Sequence, residues 1–212
     1  LRRAFDEKWI DVYENRGKVT GAYSCGVHGV HPYILLNYQG RLDDVFTLAH
    51  ELGHTVHSYL SDEAQPFHDH DYSIMVAEVA STVNEVLLLR YLLTKETEAA
   101  RRAYLLNHFL EGFRTTVFRQ TLFAEFERRA HEMYQQGTPL TAQALNEVFH
   151  GLNALYYEGA VINDFADVEW SRIPHFYNAY YVYQYATGFS SAVAIADGIL
   201  KSGDATNYLR FL

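Results

Sequence analysis

Between Leu42 and Tyr59 the apolar residues Leu42, Val45, Phe46, Leu48, Ala49, Leu52, Val56 and Tyr59 recur at the three- and four-residue spacing of a helix with one buried face. A helix over 42–60 is therefore predicted, announced by Gly40 and the Asp43-Asp44 pair. No other stretch constrains the chain as tightly, because the same helix carries His50-Glu51-Leu52-Gly53-His54. Residues four apart lie one turn along on one face, so both imidazoles can reach one metal ion about 2.1 Å away. Glu51 sits about 100° round from His50 and about 60° from His54, flanking the ion rather than competing for it. That is where a general base for a metal-bound water belongs. Two neutral nitrogens and an open position favour zinc. By chance the pattern would appear in on the order of one such chain in twenty. Its place inside an amphipathic helix lifts it above coincidence, because buried imidazoles need polar partners.

A catalytic zinc site needs a third protein ligand. His57 shares the face, but at 1.5 Å per residue it lies about 10 Å from His50 along the axis. A third histidine six residues after His54 is absent, because that residue is Leu60. Among the downstream acids, Asp62, Glu63, Asp69 and Asp71 fall in a predicted loop, whereas Glu78 and Glu85 are seven apart on the next helix and share a face. Glu78 is the expected third ligand. Glu85, two turns on, is expected to accept a ring N–H from a ligand histidine.

The remaining chain reads as mainly α. Residues 1–16 read as the end of a helix. Glycines 17, 21, 26 and 29, with β-formers between them, predict two short strands near 19–24 and 33–37, a small β element within 19–37. A polar loop is expected over 61–71, then helices over 72–94, 97–136 with a break near Gly112, and 141–155 with Thr141 as N-cap. Residues 156–172 read as irregular. Pro174 opens a predicted last helix to about Leu200, with a break near Gly188. Five tyrosines fall within 177–185, and Tyr180 and Tyr183 share a helical face. Packing accounts for Tyr181 and Tyr185. His68 and His70 are expected to be loop residues, His108, His131 and His150 isolated helix residues, and Cys25 incidental.

Composition limits the function. The 212 residues are 49% hydrophobic, which fits one globular domain or two small ones. Seventeen basic against 26 acidic side chains give a net charge of -9, against a nucleic-acid partner. No run of about 18 uncharged apolar residues exists, so no membrane span is expected. One cysteine fits a reducing, cytoplasmic setting. The chain starts on Leu1 inside an amphipathic pattern and stops on an apolar run at Leu212, so it is expected to be a catalytic domain over 1–212 cut at both ends.

With these residues assembled, the chain resembles the thimet oligopeptidase family of zinc metallopeptidases, and within it the oligoendopeptidase F group. The resemblance runs through Gly21-Ala22-Tyr23-Ser24, Pro32-Tyr33-Ile34-Leu35-Leu36-Asn37, Thr47-Leu48-Ala49-His50-Glu51-Leu52-Gly53-His54, Ala77-Glu78-Val79-Ala80-Ser81-Thr82, Asn84-Glu85 and Tyr180-Tyr181-Val182-Tyr183-Gln184-Tyr185-Ala186-Thr187-Gly188. It implies a zincin-type helical catalytic domain and cleavage of internal bonds in oligopeptides. It implies one zinc ion on His50, His54 and Glu78, and Glu51 as base. It assigns His175 and Tyr183 to the oxyanion and Tyr180 to substrate. Residues 33–37 or 21–24 are expected to pair with bound peptide as an added strand. Family members are much longer, so the missing part is expected mainly before Leu1. The rivals are a zinc-bound helical module that holds peptide without turnover, and a metal-free helical interaction domain.

Overall fold

The computed structural model describes residues 1–163 and 165–212. It is mainly helical with a small sheet, as the sequence pattern predicts. The helix that carries the histidines, here α2, spans Leu42–Ala64. Asp44 receives the backbone N–H groups of Arg41 and Gln39 at 2.8 and 2.9 Å, and Asp43 and Asp44 place negative charge on the first turn, where the helix dipole favours it. The helix runs one turn past the predicted limit at 60. It ends at Gln65, which is extended because it precedes Pro66. Helix α3, Ile74–Lys95, packs along α2. It is buried on most sides through Ala77, Val79, Ala80, Ser81, Thr82 and Val83, so it shows no single apolar stripe.

Before α2 come a short helix α1, Arg2–Asp6, and three strands, β1 Ile10–Asp11, β2 Tyr23–Val27 and β3 Val30–Leu35. The predicted helix over 1–16 stops early because Lys8 adopts φ 59°, which no helix continues. The strands sit a few residues from the predicted 19–24 and 33–37. The β2–β3 turn is set by Gly29 at φ 85°, so the pairing follows the turn rather than the β-formers around it. The strand order is β1-β3-β2, with β1 parallel and β2 antiparallel to β3. β3 is therefore flanked on both sides. The expectation that residues 33–37 offer an edge to a peptide fails for Ile34 and Leu35, and β2 is left as the candidate edge.

Past α3 lie α4 Ala99–Gly112, a π-helical stretch Phe113–Phe118 and α5 Arg119–Gln135. The predicted break at Gly112 is a widening of the helix, not a stop. There the Thr115 hydroxyl donates back to the Glu111 carbonyl at 2.7 Å, a bond that competes with the helical ladder. Helix α6, Ala142–Tyr156, is capped by Thr141, whose hydroxyl accepts the Ala144 N–H at 3.2 Å, as predicted. Two 3₁₀ turns, Ala166–Arg172 and Pro174–Tyr177, precede α7 Tyr183–Ser202 and α8 Thr206–Phe211. The long helix expected from Pro174 therefore starts at Tyr183, because Tyr180 has φ 60° and interrupts it. No break occurs at Gly188, which lies buried inside α7.

The chain divides into two compact units, one of residues 1–106 and 188–212, the other of residues 107–187. The first holds a core of Ala4, Trp9, Ile34, Leu36 and Leu52. The second holds Leu122, Phe123, Phe126, Leu145, Phe149, Leu152 and Val182. No helix among the described residues is long and apolar enough to cross a membrane.

Candidate metal centre

Helices α2 and α3 approach each other at Gly53. A Cβ there would stand 2.5 Å from Ser81 Cα and 2.7 Å from the Ala80 carbonyl oxygen, so only glycine permits the contact. Asn84 adds a second tie, donating from Nδ2 to the Ala49 carbonyl at 3.2 Å. These contacts bring Glu78 of α3 beside the histidines of α2. His50, His54 and Glu78 each offer one ligand atom, all within 4.8 Å of one another. The Nε2 atoms of His50 and His54 are 3.1 Å apart, and Glu78 Oε2 is 3.7 Å from His50 Nε2. Gly188 of α7 backs the site, with space for a Cβ only 3.4 Å from Glu78 Cβ.

Glu85 lies where its spacing predicted, with Oε1 2.6 Å from His50 Nδ1. A carboxylate there takes the ring proton onto Nδ1, and in the neutral ring the lone pair is then on Nε2, facing His54 and Glu78. The donor chemistry fits a divalent cation such as zinc.

The charges point the same way. Burial pushes the Glu51 carboxyl up, with Glu78 and Glu85 adding to this and His50 and the Ser24 backbone N–H opposing it. Burial and then Glu85 raise the Glu78 carboxyl, against His50 and Ser81. At His50 burial opposes the charged form, but the bond to Glu85 and the charges of Glu85, Glu78 and Glu51 outweigh it, so its pKa rises. Burial and His50 push His54 down to about 3, leaving a neutral ring. Three crowded carboxylates beside a neutral imidazole are the setting that a bound cation relieves.

Glu51 is buried and reaches the sheet. Its carboxylate faces the backbone of Ser24 in β2, whose N–H favours the charged form. The Ser24 and Thr55 hydroxyls are 2.8 Å apart, and Thr55 donates to the Glu51 carbonyl at 2.8 Å. Sequence spacing missed Ser24, Thr55 and Gly53. Only Gly53, a glycine at a helix centre, carried a signal.

His175, Tyr180 and Tyr183 belong to the second unit, 107–187. His175 stacks on Tyr181 with centroids 5.3 Å apart, and the Tyr185 hydroxyl lies 3.5 Å from its Nε2. Tyr181 and Tyr185 thus pack around His175, as predicted for packing residues. Tyr180 and Tyr183 are exposed. Tyr183 is the first residue of α7. His57, set aside as a ligand on helical rise, is buried against Tyr72 and does not join the donor group. His70 is paired with Asp62 at 2.7 Å.

Fold and donor set together define a mainly helical protein with a two-histidine, one-carboxylate centre carried on two adjacent helices. The family model described as Peptidase family M3 matches residues 1–212, and the chain belongs to that family. It is 53% identical to oligopeptidase PepF of Bacillus subtilis (strain 168), over all of this chain and 32% of that protein. It is 49% identical to the chromosomal oligoendopeptidase F of Lactococcus lactis subsp. cremoris, over all of this chain and 36% of that protein. The crystal structure of oligoendopeptidase-F from Enterococcus faecium aligns with TM-score 0.69 and 49% identity, covering 80% of this chain and 31% of that one. A solved structure from Chlamydophila abortus aligns with TM-score 0.84 and 42% identity, covering 98% and 36%. The chain therefore spans about a third of the length of the relatives it matches.

Proposed function

We propose that residues 1–212 form the catalytic core of a zinc-dependent endopeptidase that hydrolyses internal bonds of oligopeptides. The observation that carries this is the convergence of His50, His54 and Glu78 within 4.8 Å. Membership of a peptidase family and likeness to oligoendopeptidases support the substrate class. His50, His54 and Glu78 would hold the ion, and Glu85 fixes the tautomer of His50. A bound zinc supplies a Lewis acid that acidifies water and polarises a carbonyl.

The chain's own residues do the rest. Glu51 accepts the proton of the attacking water and delivers it to the leaving amine. Its burial, with a raised pKa, suits it to both acts. The Ser24 backbone N–H favours the charged form of that carboxylate. The open edge of β2 offers backbone groups to an extended peptide. The resemblance to oligoendopeptidases is what assigns His175 and Tyr183 to the oxyanion and Tyr180 to substrate. The free thiol of Cys25 supports a cytoplasmic setting.

Glu51→Gln tests the reading. It should keep zinc, by atomic absorption, and lose about a hundredfold or more of the turnover of a quenched oligopeptide. Near-normal turnover would remove Glu51 as base. Glu78→Ala should lower zinc content, and full zinc occupancy in that variant would remove Glu78 as ligand.

A further inference from the structure

Tyr180 and Lys8 are the two non-glycine residues at positive φ among the described residues. A bulky aromatic residue in the left-handed region is strained and stays there only where its surroundings hold it. Two contacts from α5 do so. The Tyr180 N–H donates to Glu127 Oε1 at 2.7 Å, and the Tyr180 ring stacks on His131 with centroids 5.1 Å apart and planes at 22°. Glu127 and His131 are four apart, so one face of α5 grips both the backbone and the side chain of one residue. Glu127 is only 8% exposed. A helix glutamate is rarely buried to that degree without a partner for its carboxylate. Glu127 and His131 also line a cavity of about 320 Å³ with Phe126, Trp170, Phe176 and Tyr177.

The kink ends the run after Pro174 and sets where α7 begins, at Tyr183. We propose that Glu127 is a positioning residue for peptide hydrolysis: by accepting the Tyr180 N–H it fixes the kink at residue 180 and so the direction in which Tyr180 and Tyr183 meet the peptide. The proposal rests on the function given above, and it adds a residue that touches neither substrate nor metal.

The test compares Glu127→Leu, which fills the same space without an acceptor, with Glu127→Gln, which keeps an amide oxygen. Glu127→Ala stands alongside in case the leucine variant fails to fold. Amide hydrogen exchange should accelerate over 178–183 in the leucine and alanine variants, while exchange around Phe123 and Phe149 and the zinc content stay as in the wild type. Their kcat/KM on a quenched oligopeptide should fall about ten- to a hundredfold, and Glu127→Gln should recover most of both readouts. A lower melting temperature with unchanged exchange at 178–183 and unchanged kcat/KM would overturn the proposal and leave Glu127 a structural residue. So would a glutamine variant as impaired as the leucine one. A wild-type protein that cuts no oligopeptide would instead overturn the proposed function, and the exchange comparison would still decide whether Glu127 holds the kink.

Discussion

His57 is buried with its ring stacked on Tyr72 at 3.7 Å, and its Nδ1 meets no partner among the described residues. Burial pushes its pKa down to about 4, so the folded protein holds it neutral at pH 7. The unfolded chain protonates it near its ordinary value of about 6.5. Between those values the unfolded state binds a proton that the folded state refuses, so stability is lost as pH falls from about 6.5 to about 4. Urea unfolding at pH 7 and pH 5 should show His57→Phe, which keeps the stack, losing about 1–2 kcal/mol less on acidification than the wild type. Equal losses would mean that the ring titrates freely in the folded state. At this scale the sequence spoke through spacing. His50, Glu51 and His54 are legible because a helix repeats every 3.6 residues, and Glu78 and Glu85 because seven residues return to the same face. The Ser24–Thr55 hydroxyl contact joins positions 31 apart, and the buried Glu127 meets a backbone N–H 53 positions away. No local period encodes either contact.

Two helices can present a shared donor set only if their backbones come close enough for short side chains to meet, and Gly53 is where α2 and α3 allow it. Gly53→Ala should cost about 1–3 kcal/mol, because its Cβ meets the backbone of Ser81 and Ala80 rather than a side chain that could swing aside. The helices must part, so zinc affinity should fall as well, read by metal titration. Gly151→Ala is the control. It lies in α6 with nothing within 4 Å of its would-be Cβ, and it should gain about 0.5–1 kcal/mol from helix propensity alone. A melting temperature for Gly53→Ala at or above the wild-type value would show that the α2–α3 contact tolerates a methyl group. Element types were legible wherever apolar periodicity was long, as in α2 and α6. Their ends were legible where a side chain caps them, as at Asp44 and Thr141. Misplaced limits have backbone causes: the left-handed residues Lys8 and Tyr180 end or delay helices that side-chain pattern alone would continue. Residues 61–64, Ser-Asp-Glu-Ala, are polar yet helical, because the stop comes from Pro66 and not from polarity.

For the whole molecule, the division into two units was illegible for a definite reason. Its boundaries, at 106–107 and 187–188, fall inside helices α4 and α7 rather than in polar linkers, so composition does not mark them. Each unit has its own core, and the proposed ligands His50, His54 and Glu78 all belong to the unit of residues 1–106 and 188–212. A cation that binds only the folded form adds stability by mass action, about 2.7 kcal/mol at a hundredfold excess over its dissociation constant. That energy enters through α2 and α3, which carry the donors. Zinc added to metal-stripped protein should therefore slow amide exchange most over 42–64 and 74–95. It should act least on the 122–152 core, whose residues contribute none of the donors. His50→Ala should abolish the difference. If zinc protected neither α2 nor α3, the three side chains would not be a metal centre. Protection of 122–152 equal to that of α2 and α3 would show the two units opening as one, a coupling that separate cores do not by themselves require.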